Sequence, residues 1–274
     1  MNDLLSQHDV LLLDLDGTVY LDNAPIPYAV ECLLDAVGAG VRLAYVTNNA
    51  ARTPEMVGDH LRKLGLPARD EEIVTSSMAA ASIVRSRYAR SGSVLAVGGP
   101  GVAWALREQG LEPVTEFKGD LIAVVQGYGP DVRVRDLAEA CFAVSAGVPW
   151  IAANEDLVLP TTRGLSPGNG SLVRLVAQAA GRSPDVVAGK PESALIEEAI
   201  VRAGALRPLI VGDRLDTDIA AGARMGIPTL LVLTGVTTAQ DLHAASTDHR
   251  PTYVATDLRG LIDRRHRTDE SGKR

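Results

Sequence analysis

The chain has few aromatic residues, only two cysteines and no long apolar run. Aromatic side chains make up 4% of its 274 residues. Cys32 and Cys141 are too few for a disulfide framework, which favours a reducing compartment. No apolar stretch approaches the roughly 20 residues that a membrane span needs, and the N-terminal residues do not resemble a secretory signal. These features predict a cytoplasmic protein with no membrane partner.

Positive charge is scarcer than negative charge. Lys and Arg number 27 against 34 Asp and Glu, which gives a formal net charge of −7 at pH 7. Such a balance disfavours nucleic acid as the main partner, unless basic residues cluster in a local patch.

Short apolar runs rich in Val, Leu and Ile predict strands along the whole chain. Because the runs are continuous rather than alternating, we expect strands buried on both faces, as in a parallel sheet. Segments with helical punctuation lie between them, at 53–65, 191–204 and 216–226. This alternation predicts an α/β fold. The predicted strands lie near residues 10–13, 41–46, 73–75, 94–97, 121–125, 149–152, 186–188, 208–212, 228–233 and 252–254.

Two carboxylates, Asp14 and Asp16, follow the first predicted strand directly. In open α/β sheets, ligands bind beyond the carboxyl ends of the strands. Like charges this close need a cation or a shifted pKa. A turn after the strand is the competing interpretation, since Asp and Gly are common in turns.

Two further strand ends carry groups suited to an anion. Thr47, Asn48 and Asn49 follow one strand, and their hydroxyl, amide and backbone N–H groups are of the kind that holds an oxyanion. Lys190 precedes a predicted helix, where its ammonium is placed to meet a phosphate. Each has an ordinary alternative: Thr and Asn are frequent in turns, and most Lys side chains lie at the surface.

Three aspartates follow the strand near 208–212. Asp213 stands at the strand end, whereas helix capping is the ordinary explanation for Asp216 and Asp218. The four strand ends together are more informative than any one of them. Carboxylates, a Mg²⁺ ion and a Lys neutralise a phosphoryl group, and an Asp carboxylate also serves as a covalent nucleophile. The combination predicts phosphoryl transfer.

These motifs, in this order and spacing, resemble those of the haloacid dehalogenase superfamily. Segments 47–49, 188–191 and 212–219 are similar to its NagD-type, p-nitrophenylphosphatase-like branch, which includes phosphoglycolate, glycerol phosphate and pyridoxal phosphate phosphatases. The resemblance covers nearly the whole chain. It implies a doubly wound, Rossmann-like parallel sheet with an inserted α/β cap domain. As function it implies a Mg²⁺-dependent phosphatase of small phosphorylated metabolites that forms an aspartyl-phosphate.

The resemblance also implies a role for each matching residue in the reaction. Asp14 would attack phosphorus, and Asp16 would protonate the leaving alcohol and then activate water. Thr47, with the backbone groups of Asn48 and Asn49, would hold the phosphoryl oxygens. Asp16 favours phosphoryl chemistry over dehalogenation, because a leaving alkoxide needs a general acid and a halide does not.

A metal site is implied by the same motifs. Mg²⁺ would be bound by the Asp14 carboxylate, the Asp16 backbone carbonyl and the Asp213 carboxylate. Asp218 would be a weaker ligand or would support the ligands from behind. Lys190 would neutralise the charge of Asp14 and of the phosphate.

The implied domain organisation is a hydrolase core at 1–79 and 186–263, an inserted cap at 80–185 and a flexible tail at 264–274. Such a cap closes over the site and excludes water. Asn154, Glu155 and Asp156 resemble its specificity loop, with a simple turn as the alternative. An acid at Glu155 would repel acidic substrates or bind hydroxyls. Arg163 is a candidate for binding a substrate carboxylate, although an ordinary exposed Arg explains it as well.

Two other functions compete with the phosphatase. One is a phosphotransferase or phosphomutase of the same superfamily, in which a second substrate replaces water. The other is a non-catalytic protein that binds a phosphorylated metabolite, which would be expected to lack a catalytic residue. The expected partner is a small phosphorylated metabolite, and the resemblance also implies a homodimer.

Overall fold

The computed structural model describes residues 3–88, 91–161 and 163–263. The tail predicted at 264–274 lies outside these residues. The strands in the described part are β1 (Val10–Leu13), β2 (Tyr20–Leu21), β3 (Ala24–Pro25), β4 (Arg42–Thr47), β5 (Ile73–Thr75), β6 (Ser93–Val97), β7 (Glu112–Val114), β8 (Leu121–Gln126), β9 (Trp150–Ala152), β10 (Val158–Thr161), β11 (Gly164–Pro167), β12 (Val186–Val187), β13 (Pro208–Gly212), β14 (Thr229–Val232) and β15 (Tyr253–Ala255). The α-helices there are α1 (Leu4–Gln7), α2 (Ala29–Gly38), α3 (Pro54–Lys63), α4 (Ser76–Arg87), α5 (Pro100–Glu108), α6 (Val134–Ser145), α7 (Asn169–Ala180), α8 (Ala194–Ala203), α9 (Ala220–Met225) and α10 (Ala239–Ala244).

The chain divides into two compact units. The first takes in the described residues of Met1–Val46, Gly58–Ile73 and Ile196–Arg274, and the second consists of Thr47–Val57 and those of Val74–Leu195. The second unit therefore includes residues outside the predicted cap at 80–185, namely 47–57, 74–79 and 186–195. The core and cap boundaries inferred from the sequence remain a prediction.

The larger sheet has the order β15-β14-β13-β1-β4-β5. Numbered along the chain, this is the doubly wound order 3-2-1-4-5-6, in which the strand order reverses between β1 and β13. β1 pairs in parallel with both β4 and β13. All residues of β1 and β14 are buried, as their continuous apolar runs predict. The predicted α/β class with a doubly wound parallel sheet is confirmed.

The second unit has its own parallel sheet, with the order β12-β9-β8-β6-β7. Its core includes the fully buried Trp150, Val144 and Val176, which come from β9, α6 and α7. This sheet with its helices corresponds to the predicted α/β cap domain. The antiparallel pair β10-β11 follows β9 along the chain.

The strands near all ten predicted positions are present, but five others were not predicted: β2, β3, β7, β10 and β11. These have two to four residues, and four of them contain proline, so no period is visible in the sequence. Two helix predictions need correction. The helix expected from Pro191 begins at Ala194, and the one expected from Asp216 divides into a π-helical turn, Leu215–Ile219, and α9.

Among the described residues, no helix is long and apolar enough to cross a membrane. Cys32 and Cys141 are both free, and burial raises the pKa of the Cys32 thiol to about 11. That thiol therefore stays protonated and unreactive near neutral pH.

Asp9 ties the start of β1 to the start of β13. Its carboxylate accepts hydrogen bonds from the backbone N–H groups of Arg207 (2.7 Å) and Leu206 (3.0 Å) and from the Arg42 guanidinium (3.0 Å). Burial by itself raises the pKa of Asp9, but the two N–H groups and the Arg42 charge together hold it below its usual value.

Replacing Asp9 with Asn should therefore destabilise the protein by about 1–2 kcal/mol at pH 7. A lowered folded pKa contributes stability above the unfolded pKa, about 3.9, and the contribution disappears as the pH falls through the folded value. Urea unfolding of wild type and Asp9→Asn between pH 7 and pH 3.5 should show a gap that narrows below about pH 4.5. The exposed Asp22→Asn is the control, and a gap independent of pH would contradict this role for Asp9.

Candidate active site

Three carboxylates meet in the first unit, where β1 and β13 flank the reversal of strand order. Asp14 follows β1, Asp213 follows β13, and Asp218 lies in the π-helical turn after it. Each offers a ligand oxygen, and the three oxygens all lie within 4.8 Å of one another. Asp213 is fully buried and Asp218 is 1% exposed. Three carboxylates held this close, two of them buried, fit a hard divalent cation.

The loop after β14 holds Asp213 in this group. The Val236 N–H donates to Oδ2 of Asp213 at 2.6 Å, and the Thr237 N–H donates to its carbonyl oxygen at 3.2 Å. A Cβ at Gly235 would overlap the Asp213 carboxylate, so only glycine allows the loop to come this close. Asp213 is thus held at its carboxylate by the Val236 N–H and at its backbone by the Thr237 N–H, and neither residue belongs to a predicted motif.

Thr234 connects the same loop to the segment after β1. Its hydroxyl donates to the carbonyl oxygen of Gly17 at 2.6 Å. The sequence analysis missed Thr234 and Gly235, although the sequence contains a signal for them. The predicted strand near 228–233 is followed directly by a hydroxyl residue and a glycine, as the four strand ends singled out above are followed by polar residues.

Asp216 and Asp218 separate clearly in the structure. The Asp218 and Ile219 N–H groups both donate to the Arg214 carbonyl, which produces the π-helical turn and turns Asp218 inward. Asp216 instead pairs with the Arg214 guanidinium at 2.8 Å, and this hydrogen bond holds the pKa of Asp216 below its usual value. Its side chain is 68% exposed. Asp218 belongs to the carboxylate group and also accepts a hydrogen bond from the Arg214 N–H at 3.2 Å at the start of the turn, whereas Asp216 belongs to a surface ion pair.

Asp16 is exposed, and its carboxylate is not part of the three-carboxylate group among the described residues. The segment turns back here, since the Gly17 N–H donates to the Tyr20 carbonyl oxygen at 2.8 Å. An exposed carboxylate two residues from Asp14 is compatible with proton transfer rather than with metal binding by its side chain.

In the second unit, Asn48 joins two of the predicted phosphate-binding segments. Its amide oxygen accepts from the Lys190 backbone N–H at 2.8 Å, and its amide nitrogen donates to the Lys190 carbonyl oxygen at 3.0 Å. Lys190 is 4% exposed. The Ser76 hydroxyl also donates to the Asn48 carbonyl oxygen, at 2.6 Å. Ser76 was missed by the sequence analysis, because a serine that begins a helix has no distinguishing pattern.

Thr47 and Asn49 shape the turn on either side of Asn48. The Thr47 hydroxyl oxygen accepts from the Asn49 N–H at 3.0 Å, and the Asn49 amide oxygen accepts from the Ala51 N–H at 2.9 Å. Both are ordinary turn contacts, so the turn interpretation holds for these side chains. Their predicted role with a phosphoryl group stays a prediction.

The segment 154–157, which we call the 154–157 loop, is anchored to Asn48. The Asn154 amide donates to the Asn48 carbonyl oxygen at 2.6 Å, and the Asp156 carboxylate accepts from the Asn48 amide at 3.1 Å. Asn154 is 3% exposed, whereas Glu155 between them is exposed. The structure thus brings Asn154 and Asp156 to Asn48 and Lys190, and leaves Glu155 as the carboxylate that the loop presents outward. Arg163 is exposed in the turn between β10 and β11, as an ordinary surface Arg would be.

Comparison with family models matches most of the chain. A model described as haloacid dehalogenase-like hydrolase matches residues 11–112, and one described as HAD-hydrolase-like matches residues 187–261. These two segments contain Asp14, Lys190, Asp213 and Asp218.

Individual proteins of known function are also similar. The D-glycerol 3-phosphate phosphatase of Mycobacterium tuberculosis is 45% identical over 261 residues, which are 95% of this chain and 73% of that protein. The 5'-nucleotidase YutF of Bacillus subtilis is 37% identical over 90% of this chain and 94% of its own length.

Solved structures agree with these sequence matches. Glycerol phosphate phosphatase Rv1692 of Mycobacterium tuberculosis in complex with magnesium superposes with a TM-score of 0.91 at 45% identity, over 96% of this chain and 79% of that one. The 4-nitrophenylphosphatase of Thermotoga maritima gives 0.86 at 30% identity, over 94% and 98%.

Proposed function

Because this chain belongs to the haloacid dehalogenase-like hydrolase family, we propose that it is a Mg²⁺-dependent phosphatase that transfers the phosphoryl group of a small phosphorylated metabolite to Asp14 and then to water. The predicted superfamily and its p-nitrophenylphosphatase-like branch are confirmed by the matched proteins. The observation that carries the proposal is the group of three carboxylates, Asp14, Asp213 and Asp218, within 4.8 Å at the carboxyl ends of β1 and β13.

The metal role rests on the chemistry of this donor set. Asp14, Asp213 and Asp218 offer hard oxygen ligands, which Mg²⁺ prefers, and two of the three are almost completely buried. The backbone carbonyl of Asp16 completes the proposed set. Bound Mg²⁺ supplies positive charge that offsets the carboxylates and the phosphoryl oxygens.

The two aspartates of the first motif carry the covalent chemistry. An Asp14 carboxylate oxygen forms a bond to phosphorus while the bond between phosphorus and the leaving alcohol oxygen breaks, and Asp16 gives its proton to that oxygen. The Asp16 carboxylate then takes a proton from water, and the water oxygen bonds to phosphorus while the bond between phosphorus and the Asp14 oxygen breaks. This step releases inorganic phosphate and restores Asp14.

The phosphoryl-binding groups are Thr47, the backbone of Asn48 and Asn49, and the Lys190 ammonium. Support comes from Asn48, whose side chain holds the Lys190 backbone through two hydrogen bonds. Because Lys190 is also 4% exposed, its side chain has already lost much of its conformational freedom before it meets an anion.

The exposed Glu155 carboxylate bears on the choice of substrate. A negative charge there repels a second anionic group and accepts hydrogen bonds from hydroxyls. We therefore place glycerol phosphates and sugar phosphates ahead of phosphoglycolate as substrates. This order agrees with the similarity to a glycerol phosphate phosphatase, at 45% identity.

The test is phosphate release from a substrate panel after removal of metal with EDTA. The panel holds p-nitrophenyl phosphate, glycerol phosphates, sugar phosphates, pyridoxal phosphate, phosphoglycolate and nucleoside monophosphates. We expect no turnover in EDTA, restoration by Mg²⁺, and a kcat/KM for glycerol phosphate at least about tenfold above that for phosphoglycolate, since one unfavourable charge contact is worth about 1.4 kcal/mol. Turnover that does not need a metal, or no turnover by folded protein, would contradict the proposal.

The proposal includes a cytoplasmic location and a homodimer. The free cysteines support a reducing compartment. The homodimer is supported by apolar side chains that the second unit leaves exposed on α6, α7 and β11. Their exposed fractions are 59% for Phe142, 49% for Leu175 and 74% for Leu165.

A further inference from the structure

The first turn of α7 holds the backbone of the 154–157 loop. The N–H of Gly170 donates to the Asp156 carbonyl oxygen, and the N–H of Gly168, the residue before α7, donates to the Leu157 carbonyl oxygen, both at 2.9 Å. The free N–H groups of a helix N-terminus normally meet water, a side chain or an anion. Here they bind the loop.

The glycines of this turn are required by close approach. A Cβ at Gly168 would overlap the Asp156 carbonyl oxygen, and a Cβ at Gly170 would overlap the Glu155 carbonyl oxygen. The loop and the helix therefore touch backbone to backbone, which leaves no room for an intervening side chain.

Asn169, the first residue of α7, adds the contact that reaches furthest into the loop. Its side-chain nitrogen donates to the carbonyl oxygens of Asn154 at 2.7 Å and Gln126 at 3.2 Å. Asn169 is 1% exposed and Gln126 is fully buried. This nitrogen thus fastens the start of the 154–157 loop to the end of β8, the central strand of the second sheet.

The side-chain amide of Asn169 contributes by donating hydrogen bonds rather than by filling space in the core. Its side-chain oxygen is buried and has no hydrogen-bond partner among the described residues. An apolar side chain of the same size would avoid that buried oxygen, at the loss of the two donated bonds. Because burying an unpaired oxygen is unfavourable, the benefit of the residue lies in the nitrogen that holds the loop.

Asn154 carries the constraint on to the groups proposed to bind substrate. While its carbonyl is held by Asn169, its amide nitrogen donates to the Asn48 carbonyl oxygen at 2.6 Å, and its amide oxygen accepts from the Asp156 N–H at 3.1 Å. Asn154 is therefore bound on three sides, and Glu155 projects from a backbone that cannot easily move.

We propose that Asn169 is a positioning residue, which fixes the 154–157 loop so that Glu155 meets the leaving group of the substrate. This inference rests on the proposed phosphatase function. The contacts between Asn48 and Lys190 are made without Asn169. Loss of Asn169 should therefore affect recognition of the leaving group and spare the phosphoryl chemistry.

The test compares Asn169→Ala with wild type on two substrates. For glycerol phosphate, we expect KM to rise about tenfold with kcat within about twofold, the size of effect that one or two hydrogen bonds can produce. For p-nitrophenyl phosphate, whose leaving group has no hydroxyls for Glu155, we expect both constants to change less than about twofold. Gln178→Ala is the control, because it removes an exposed amide from the same helix.

Hydrogen exchange followed by mass spectrometry tests the positioning without any turnover. In Asn169→Ala, the amides of residues 155–158 should exchange at least about tenfold faster, while those of β8 keep the wild-type rate. Asn169→Ser, a side chain that suits a helix start but is too short to reach both carbonyls, should give the same pattern and replaces the Ala variant if that variant does not fold.

Equal losses on the two substrates, or unchanged exchange at 155–158, would overturn the positioning role. Absence of turnover in the wild-type protein would instead count against the phosphatase, and the exchange experiment would still decide whether Asn169 holds the loop.

Discussion

Replacing Asp14 with Asn should lower kcat by at least about 10³-fold on every phosphate monoester, the scale on which removal of a catalytic nucleophile acts. The amide cannot form the bond to phosphorus that the carboxylate forms. It also removes one of three negative charges packed within 4.8 Å, so the fold should tolerate the change. Steady-state phosphate release with p-nitrophenyl phosphate and with glycerol phosphate measures the effect.

The control for this variant is Asp22→Asn. Asp22 is an exposed carboxylate in the same stretch of the chain, so the change in net charge is the same. It should keep wild-type activity. A kcat for Asp14→Asn within about tenfold of wild type, in protein with a cooperative thermal transition, would rule out Asp14 as the nucleophile.

Replacing Asp16 with Asn should produce a loss that depends on the leaving group. On glycerol phosphate the expected fall in kcat is about 10²-fold or more, because an alkoxide needs a proton as it departs. On p-nitrophenyl phosphate the leaving phenolate is already stable, so the first step should be nearly unaffected. The loss of kcat on this substrate therefore comes from the second step, in which the variant activates water more slowly. The ratio of the two kcat values, variant against wild type, is the measurement.

A pre-steady-state burst should accompany the Asp16→Asn change on p-nitrophenyl phosphate. Since phosphoryl transfer stays fast and hydrolysis becomes slow, one equivalent of nitrophenolate per active site should appear before the steady rate. Equal losses on both substrates, with no burst, would assign the acid role to another group. Asp22→Asn again provides the charge-matched comparison.

The strand ends could be predicted because parallel buried strands have a strong pattern. β1 and β13 are continuous apolar runs, and each is followed directly by an aspartate, at the end of the strand where ligands bind in open α/β sheets. Sequence order alone therefore placed Asp14 and Asp213 at the carboxyl ends of strands. That the two strands are neighbours is a property of the topology, which the resemblance supplied.

The distinction between Asp216 and Asp218 could not be predicted. Both precede a helical segment by a similar distance, and both satisfy the dipole of a helix start. The difference arises from a π-helical turn that accepts two N–H groups at the Arg214 carbonyl and rotates Asp218 toward Asp213. A pattern with a period of 3.6 residues contains no signal for that extra residue.

The hydroxyl and the glycine at 234 and 235 are visible in the sequence as residue types, but the partners of Thr234 and Asn169 could not be predicted, for another reason. Each side chain donates a hydrogen bond to a backbone carbonyl that is distant along the chain. Thr234 donates to Gly17, 217 positions away, and Asn169 donates to Asn154, 15 positions away. The partner of such a bond is a peptide group, which every residue possesses. No residue type at the far end therefore marks the pair.

The most direct test of the central claim is detection of phosphate on Asp14. Wild type and Asp16→Asn would be mixed with Mg²⁺ and glycerol phosphate or p-nitrophenyl phosphate in a single turnover, quenched in acid, digested with pepsin and analysed by mass spectrometry. The account predicts a peptide carrying one phosphoryl group at Asp14, more abundant in Asp16→Asn with p-nitrophenyl phosphate and removed by hydroxylamine. Turnover with no such peptide in either protein at any quench time would contradict it.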